Sequence, residues 1–381
     1  MASFYDLWLT PTLTLSLILE AEAPAPSLFG KVAGWLLWVR PRLVKEALQY
    51  ELEVRGGKGD GEAVVGAGTL RVVDYGLNRE TDGNKGTNLR RPAAVDHLTM
   101  SIADREGIDA SSPEHDLLHL CLSRVLASYA LIDRVADLAG LSYPQAGEDE
   151  REEADRLLRE LWEKLRPEKE LPELEGKHWQ EIGFQNTHPA TDLRKVGLLG
   201  LYCVLHFAKT YGDRAAEIVD ESVGGGEHWY PLALASLHMT AFALELAESR
   251  DLQLFLLRSF QTSPASSSSS PDPSSSASLI DLSDPSASLL RPSLSLDLPT
   301  SAVHHTSESS ERQEIEPFLR ISSDLLLLFH AHWQQGGYSV MNFEQVSKSF
   351  QAALRPWIRR GVLDGRHLGW EKWDEGTVKL E

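Results

Sequence analysis

Apolar residues recur at helical spacing through most of the chain. In the charge-rich segment 148–165, the apolar residues Leu157, Leu158, Leu161 and Leu165 lie on one face, which is typical of an amphipathic helix. Similar patterns predict helices over residues 28–54 (kinked or divided at Pro41), 93–106, 113–139, 192–211, 215–222, 228–248, 315–335 and 342–360. Alternating apolar and polar runs long enough for a sheet are absent from the sequence. The pattern predicts an all-α fold.

Two stretches interrupt the helical pattern. Residues 56–92 contain GGKGDGE, GAG and DGNKGTN, which predict a glycine-rich loop around a short β-like piece at 70–73. Residues 261–310 contain 19 serines and six prolines, and such a segment buries too little apolar surface to offset its ordering entropy. It is expected to be a disordered insertion. Long insertions are tolerated because loop-closure entropy grows slowly, so the helices at 311–360 should pack back on those before it.

These interruptions divide the chain into six parts. The first, 1–55, holds an apolar segment and the first helix, and 56–92 is the glycine-rich loop. The main helical part is 93–260, followed by the insertion at 261–310, the C-terminal helices at 311–360 and a tail at 361–381.

The N-terminal segment leaves several interpretations open. Residues 7–19 are apolar but shorter than a membrane span, and Asp6 stands where a signal peptide carries positive charge. A second apolar stretch, 28–39, runs into Arg40, Arg42 and Lys45. An amphipathic contact with a membrane surface, a cleaved signal sequence and a helix or strand that faces the core are all compatible with this pattern.

Composition narrows the function classes. The chain has 37 Lys and Arg against 56 Asp and Glu, giving a net charge of −19, which opposes general binding to nucleic acid. Two cysteines, Cys121 and Cys203, are too few for a disulfide framework or a zinc site of their own. We therefore expect a cytoplasmic protein, with membrane association through the N-terminus as the open alternative.

Enzyme motifs are absent from the sequence. It contains no G-x-S-x-G elbow, no G-x-x-x-x-G-K-[ST] loop and no H-E-x-x-H pair. His330 and His332 are two residues apart, so on a helix they point to different faces. We predict neither a metal site nor a cofactor.

The most informative stretch is WQEIGFQNTHPATDLRKVGLLGL, residues 179–201. Trp179 and Phe184 are expected to anchor it to the core, and Pro189 should stop any helix that enters from upstream. Thr191 is then expected to cap a new helix. Arg194 falls in the first turn, where a cation is mildly unfavourable against the helix dipole, and this placement favours a functional role.

The same stretch resembles the signature of the ELMO domain, in the branch of ELMO-domain-containing proteins. That signature reads W-x3-G-F-Q-x3-P-x-T-D-F-R-G-x-G-x3-L. Ten of its positions match in register: Trp179, Gly183, Phe184, Gln185, Pro189, Thr191, Asp192, Arg194, Gly197 and Leu201. Two positions depart from it, since Leu193 replaces Phe and Lys195 replaces Gly directly after the arginine.

The resemblance implies a GTPase-activating protein for an Arf-family or Arf-like small GTPase in its GTP-bound state. Such a protein activates an enzyme and needs no substrate pocket of its own. The motif arginine, Arg194, is implied as the catalytic residue, and Gln185, Asp192 and Lys195 as motif or GTPase-binding residues. The alternative is a non-catalytic adaptor that binds a small GTPase or a Dock-type exchange factor. The other motif residues are expected to pack in the core.

The direction of Arg194 is left open by the sequence. If helical periodicity continues through it, Arg194 aligns with Leu198, Leu201 and Leu205 and its stem points towards the core. It would then act as a buried clamp, paired with Asp192 or with a carboxylate of another helix. If it points outwards, it is free to reach a partner's nucleotide.

Overall fold

The computed structural model describes residues 42–54, 65, 67–81, 93–141, 147–223, 226, 228–259, 308–359 and 363. The predicted N-terminal apolar stretches, the predicted insertion up to residue 307 and nearly all of the tail lie outside these residues. Within the described ranges every regular element is a helix, so the fold is all-α. None of the described helices is both long enough and apolar enough to cross a bilayer.

Ten α-helices and three 3₁₀ helices follow one another in the described residues. The α-helices are α1 Leu43–Val54, α2 Ala67–Thr81, α3 Ala93–Glu106, α4 Pro113–Gly140, α5 Glu148–Leu165, α6 Gly197–Val223, α7 Leu232–Glu248, α8 Gln253–Ser259, α9 Glu308–Gly336 and α10 Phe343–Ile358. The 3₁₀ helices are Lys177–Ile182, Pro189–Lys195 and Val340–Asn342.

Two apolar cores share the long helix α4. The first core lies among α1, α2, α3 and the N-terminal half of α4, where Leu118, Cys121 and Val125 are buried. The second, larger core begins at Leu131 and Val135 in the C-terminal half of the same helix. Because one helix contributes to both cores, it fixes them relative to each other.

A cluster of polar contacts also connects the helices of the two cores. The Arg250 guanidinium, in the turn before α8, pairs with the buried Asp74 carboxylate of α2 and lies 5.1 Å from the centre of the Tyr129 ring of α4. The Tyr129 hydroxyl donates a hydrogen bond of 2.6 Å to Asp74. Burial raises the pKa of Asp74, and the Arg250 charge opposes this shift.

Helix α6 is the centre of the larger core. Helices α4, α5, α7 and α9 all pack against it, and most of its residues are buried from Gly197 to Ala208. Its backbone leaves helical geometry at Gly212, where φ is 47° and ψ is −122°. The two helices expected at 192–211 and 215–222 are thus both present within α6, with the break between them at Gly212, and the first of them starts at Gly197 and not at residue 192.

The glycine-rich region departs from its prediction. Residues 67–81 form helix α2, so the β-like piece expected at 70–73 is wrong. Leu70, Val73 and Leu77 are buried in the first core at helical spacing. Packing of this apolar face outweighs the low helix propensity of the glycines.

The helices after the insertion complete the larger core. Ile315, Phe329 and Trp333 of α9 and Phe350 of α10 are buried in the same cluster as α6 and α7. Helix α10 packs on α7 and α9, and this places its N-terminal half on the side of α7 where the signature motif also lies.

Candidate functional site

Trp179 anchors the signature motif to the larger core. Its side chain is fully buried, and its Nε1 donates a hydrogen bond of 2.9 Å to the Leu174 carbonyl oxygen. The ring makes edge contacts with the rings of Trp162 and Phe184, at centroid distances of 5.5 and 5.8 Å. The packing roles that the sequence indicated for Trp179 and Phe184 match these positions.

Gly183 brings the motif onto the start of helix α7. Its φ is 91°, in the left-handed region that favours glycine. A Cβ at this position would lie 2.3 Å from the Leu232 nitrogen, so the backbones touch with no room for a side chain. The Gly183 carbonyl in turn accepts a hydrogen bond of 3.2 Å from the Leu234 N–H. From here we call residues 183–196 the motif loop.

The Asp192 side chain links the C-terminal half of the motif loop to its N-terminal half. Its carboxylate accepts hydrogen bonds from the Gln185 main-chain N–H at 2.8 Å and from Asn186 Nδ2 at 2.6 Å. The pairing of Asp192 with Arg194 that the clamp interpretation suggested is not found. The Gln185 side chain is exposed, and its main chain makes the contacts within the loop, including a carbonyl that accepts from Gln180 Nε2 at 3.3 Å.

The motif loop ends in a 3₁₀ helix and not in the first turn of α6. This 3₁₀ helix, Pro189–Lys195, is capped by His188, whose Nδ1 accepts a hydrogen bond of 3.2 Å from the Ala190 N–H. Thr191 lies inside the helix, and its hydroxyl donates to the His188 carbonyl at 2.8 Å. The prediction that Thr191 caps an α-helix is therefore wrong, because Pro189 starts a tighter helix two residues earlier.

Gly197 marks where α6 begins. Its φ is 48°, and a Cβ would lie 2.6 Å from the carbonyl oxygens of Leu138 and Ala139 at the end of α4. Leu201, one turn further, is buried. The backbones of α6 and α4 therefore approach closely at Gly197.

Arg194 is exposed on this short helix. Its neighbours Leu193 and Val196 are almost completely buried, and they fix the backbone on either side. No residue in the described part of the chain makes a hydrogen bond or ion pair with the Arg194 guanidinium. Of the two directions that the sequence left open for Arg194, the structure has the outward one, because a 3₁₀ helix has three residues per turn and places Leu193 inward.

Lys195 is exposed beside Arg194 and lies near two groups of other helices. His238 of α7 lies beside Glu344 of α10, with Nε2 and Oε1 3.7 Å apart. Burial lowers the pKa of His238; the Glu344 carboxylate opposes this, and the charges of Lys195 and Lys348 add to it. The motif loop and α10 thus bring two lysine side chains near a histidine of α7 that is neutral at pH 7.

The described residues offer little else that could do chemistry. Burial raises the pKa of the Cys121 thiol to about 12 and that of Cys203 to about 11, so both stay protonated. Among the described His, Cys, Asp and Glu side chains, no group of three could hold a metal ion. An open cleft of about 870 Å³ is lined by the C-terminal part of α5 and residues 166–174, and none of its lining residues belongs to the motif loop.

Comparison with known proteins decides the family. The model of the ELMO/CED-12 family matches residues 145–347, which is more than half of the chain and includes the whole motif loop. The chain belongs to the ELMO/CED-12 family. The match runs from the start of α5 into α10, so the ELMO part corresponds to the larger core, and α1–α3 with their separate core precede it.

Individual relatives share the ELMO name. The chain is 30% identical to mouse ELMO domain-containing protein 2 over 139 residues, which is 36% of this chain and 46% of the relative. It is 33% identical to human ELMO domain-containing protein 1 over 134 residues, 35% of this chain and 39% of the relative. Identity to ELMO domain-containing protein A of Dictyostelium discoideum is 35% over 91 residues, 24% of this chain and 9% of that protein. The matches thus span less than half the length of these relatives, and no solved structure matches the chain.

Sequence reasoning found the motif residues but missed several of their partners. The His188 cap carried a signal, since the residue precedes Pro189 at the start of the helix. The bond from Asp192 to the Gln185 N–H depends on a loop geometry that no short pattern encodes. The approach of His238 and Lys348 to Lys195 depends on the packing of α10 after the insertion and carried no signal.

Proposed function

We propose that this protein is a GTPase-activating protein for an Arf-family or Arf-like small GTPase, and that Arg194 supplies its guanidinium in trans. The observation that carries the proposal is the exposure of Arg194, which is free of described partners on a backbone held by buried neighbours. Family membership and the motif resemblance add support.

The chemistry requires one mobile, permanently charged side chain on a fixed support. GTP hydrolysis spreads negative charge over the transferring phosphoryl group, and a guanidinium placed against it accelerates the reaction by roughly 10³–10⁵. Arginine suits this role because its planar group meets two oxygens at once and stays protonated. The GTPase holds the nucleotide and its Mg²⁺, so the activator needs neither.

The motif loop has features of such a support. Leu193 and Val196 hold one end in the core, Gly183 holds the other against α7, and Asp192 ties the two halves together. A residue presented on a preorganised backbone loses less entropy on binding than one on a free loop.

A second candidate function is GTPase binding without acceleration. Lys195 favours it, because it places a long cationic side chain where the family signature has glycine. In this case the surface around Arg194 still meets the GTPase, but the guanidinium stays short of the nucleotide.

Single-turnover hydrolysis separates the two functions. A panel of Arf-family and Arf-like GTPases is loaded with GTP and mixed with the full chain, and phosphate release is followed with time. Acceleration of at least one member by roughly 10³ or more supports the proposal. Binding to GTP-loaded members with an unchanged hydrolysis rate supports the second candidate and contradicts the first.

A further inference from the structure

Two cationic side chains from separate elements approach His238 beside the motif loop that carries Arg194, and the lowered pKa of His238 leaves its imidazole neutral at pH 7. Lys195 comes from the motif loop, His238 from α7 and Lys348 from α10. Both lysines are exposed, and both lie near enough to the His238 imidazole to lower its pKa, although its burial has the larger effect. We call Lys195, His238 and Lys348 the cationic surface.

The charge balance of this surface differs from that of the protein. The chain as a whole has a net charge of −19. At the cationic surface, two lysines face the Glu344 carboxylate, which lies 3.7 Å from the His238 imidazole, and no described residue forms an ion pair with Lys195 or Lys348. A local positive field on an acidic protein steers acidic partners to one place and repels them elsewhere.

The middle of the surface is partly apolar. Leu234 and Ala241 of α7 lie one turn before and one turn after His238, and both are half-buried against the larger core. An apolar centre with a charged rim is the usual composition of a protein interface.

Any partner that receives Arg194 must also cover this surface. A standard interface buries about 800 Å² on each partner, a patch with a radius of roughly 16 Å. Lys195 is adjacent to Arg194 in the chain. The motif loop and α10 both contact α7, and the charges of Lys195 and Lys348 both act on His238 of that helix.

We propose that the cationic surface is a docking site that selects GTPases with acidic residues beside their nucleotide site. This inference rests on the proposed function and names the specificity determinants of the same interface. Because exposed rim charges act mainly on encounter, they raise the rate of association and the ratio kcat/KM, while kcat depends on Arg194. Lys195 stands where the family signature has glycine.

The test is a double charge reversal, Lys195→Glu with Lys348→Glu. The matched control is Arg159→Glu with Lys164→Glu, which makes the same change in net charge on the exposed side of α5. Both lysines of the test pair are exposed, so melting temperatures of the two variants should stay close to that of the wild type. Binding to each GTP-loaded member of the panel is measured by biolayer interferometry at low and at physiological salt, and kcat and KM are measured for members that are activated.

The expected result is a loss of about tenfold in affinity and in kcat/KM at low salt for the test pair, with kcat unchanged. The loss should shrink at physiological salt, and the control pair should lose far less. The single variant Lys195→Gly should flatten the differences in affinity across the panel.

Each other outcome contradicts a stated part of the account. If the wild type activates a GTPase and the test pair behaves like the control pair, the docking site is wrong and the proposed function stands. If binding is salt-dependent and is lost in the test pair but no member is activated, the docking site stands and the proposed function is wrong. If no member of the panel binds, both are wrong.

Discussion

The Asp192 carboxylate accepts a hydrogen bond of 2.8 Å from the main-chain N–H of Gln185, across the motif loop. A second bond, from Asn186 Nδ2, engages its other oxygen at 2.6 Å. Bonds to a charged acceptor are worth more than neutral ones, so a single exposed side chain accounts for much of the order of this loop. We therefore expect Asp192, two residues before Arg194, to act as a positioning residue for it.

Replacing Asp192 should loosen the loop more than it destabilises the fold. For Asp192→Ala we expect a loss of about 1–2 kcal/mol in the free energy of unfolding, because two hydrogen bonds to a charged group disappear at a partly exposed site. GTPase activation should fall by about tenfold or more, since Arg194 is then less well oriented.

Asp192→Asn is the control for this prediction. Its Oδ1 still accepts the bond from the Gln185 N–H, so much of the activation should return while the negative charge is absent. Urea unfolding and single-turnover hydrolysis measure the two effects. Activation that falls only in proportion to the folded fraction would show that Asp192 has no positioning role.

Gly183→Ala should be one of the most damaging small substitutions in the motif loop. The new Cβ meets the backbone of residues 231–233, with the Leu232 nitrogen at 2.3 Å, and the left-handed φ of 91° adds strain. We expect the free energy of unfolding to fall by about 3 kcal/mol or more, which chemical unfolding measures as a lower midpoint.

Gly107→Ala is the matched control for the strain alone. Gly107 has a φ of 67°, but a Cβ there would meet no atom within 4 Å. Gly107→Ala should lower the free energy of unfolding by about 1 kcal/mol. Equal losses in the two variants would mean that the contact of Gly183 with the start of α7 contributes nothing.

The stability of the protein should depend on pH through the buried side chain of His206. Burial, and to a lesser degree the Arg320 charge, lowers the pKa of His206 to about 4. As pH falls from about 6.5 to about 4, His206 becomes protonated in the unfolded chain but stays neutral in the folded protein. The free energy of unfolding therefore decreases over this pH range. Asp324 works in the opposite sense, because burial raises its pKa to about 6 and its contribution is lost as pH rises from about 4 to 6.

His206→Gln isolates the histidine contribution. Glutamine keeps a donor for the Ser323 hydroxyl, which lies 3.0 Å from His206 Nδ1, but takes up no proton. The free energy of unfolding of the variant, relative to that of the wild type, should be about 2 kcal/mol higher at pH 4 than at pH 6.5. Chemical unfolding at a series of pH values checks this, with the exposed His97→Gln as control. Parallel pH profiles for wild type and His206→Gln would contradict it.

The sequence alone was sufficient to predict the bounds of helices that have a continuous apolar face. The bounds predicted for α3 and α5 agree with the structure, since both have a clear periodic face and a distinct start and end. Helix α2 was missed because glycines at its start and in its interior were given more weight than the spacing of Leu70, Val73 and Leu77.

The site shows why side-chain direction was harder to predict than residue identity. The α-helix expected from residue 192 has 3.6 residues per turn, whereas residues 189–195 form a 3₁₀ helix with 3.0 residues per turn. Because the sequence did not reveal this tighter turn, it left the direction of Arg194 open. The contacts of Gly183 with Leu232 and of His238 with Glu344 join residues about 50 and 100 apart, and local patterns carry no information on them.

The most direct test of the central claim is the single-turnover hydrolysis rate with Arg194→Lys, at a saturating concentration of the variant. Lysine keeps the positive charge but loses the planar group that meets two phosphoryl oxygens. Arg159→Lys, on the exposed face of α5, makes the same chemical change away from the motif loop. We predict that Arg194→Lys abolishes the acceleration and shifts the melting temperature by no more than about 2 °C, and that Arg159→Lys retains full activity. Full acceleration by the Arg194→Lys variant would contradict the account, and so would a loss of activity matched by a loss of folding.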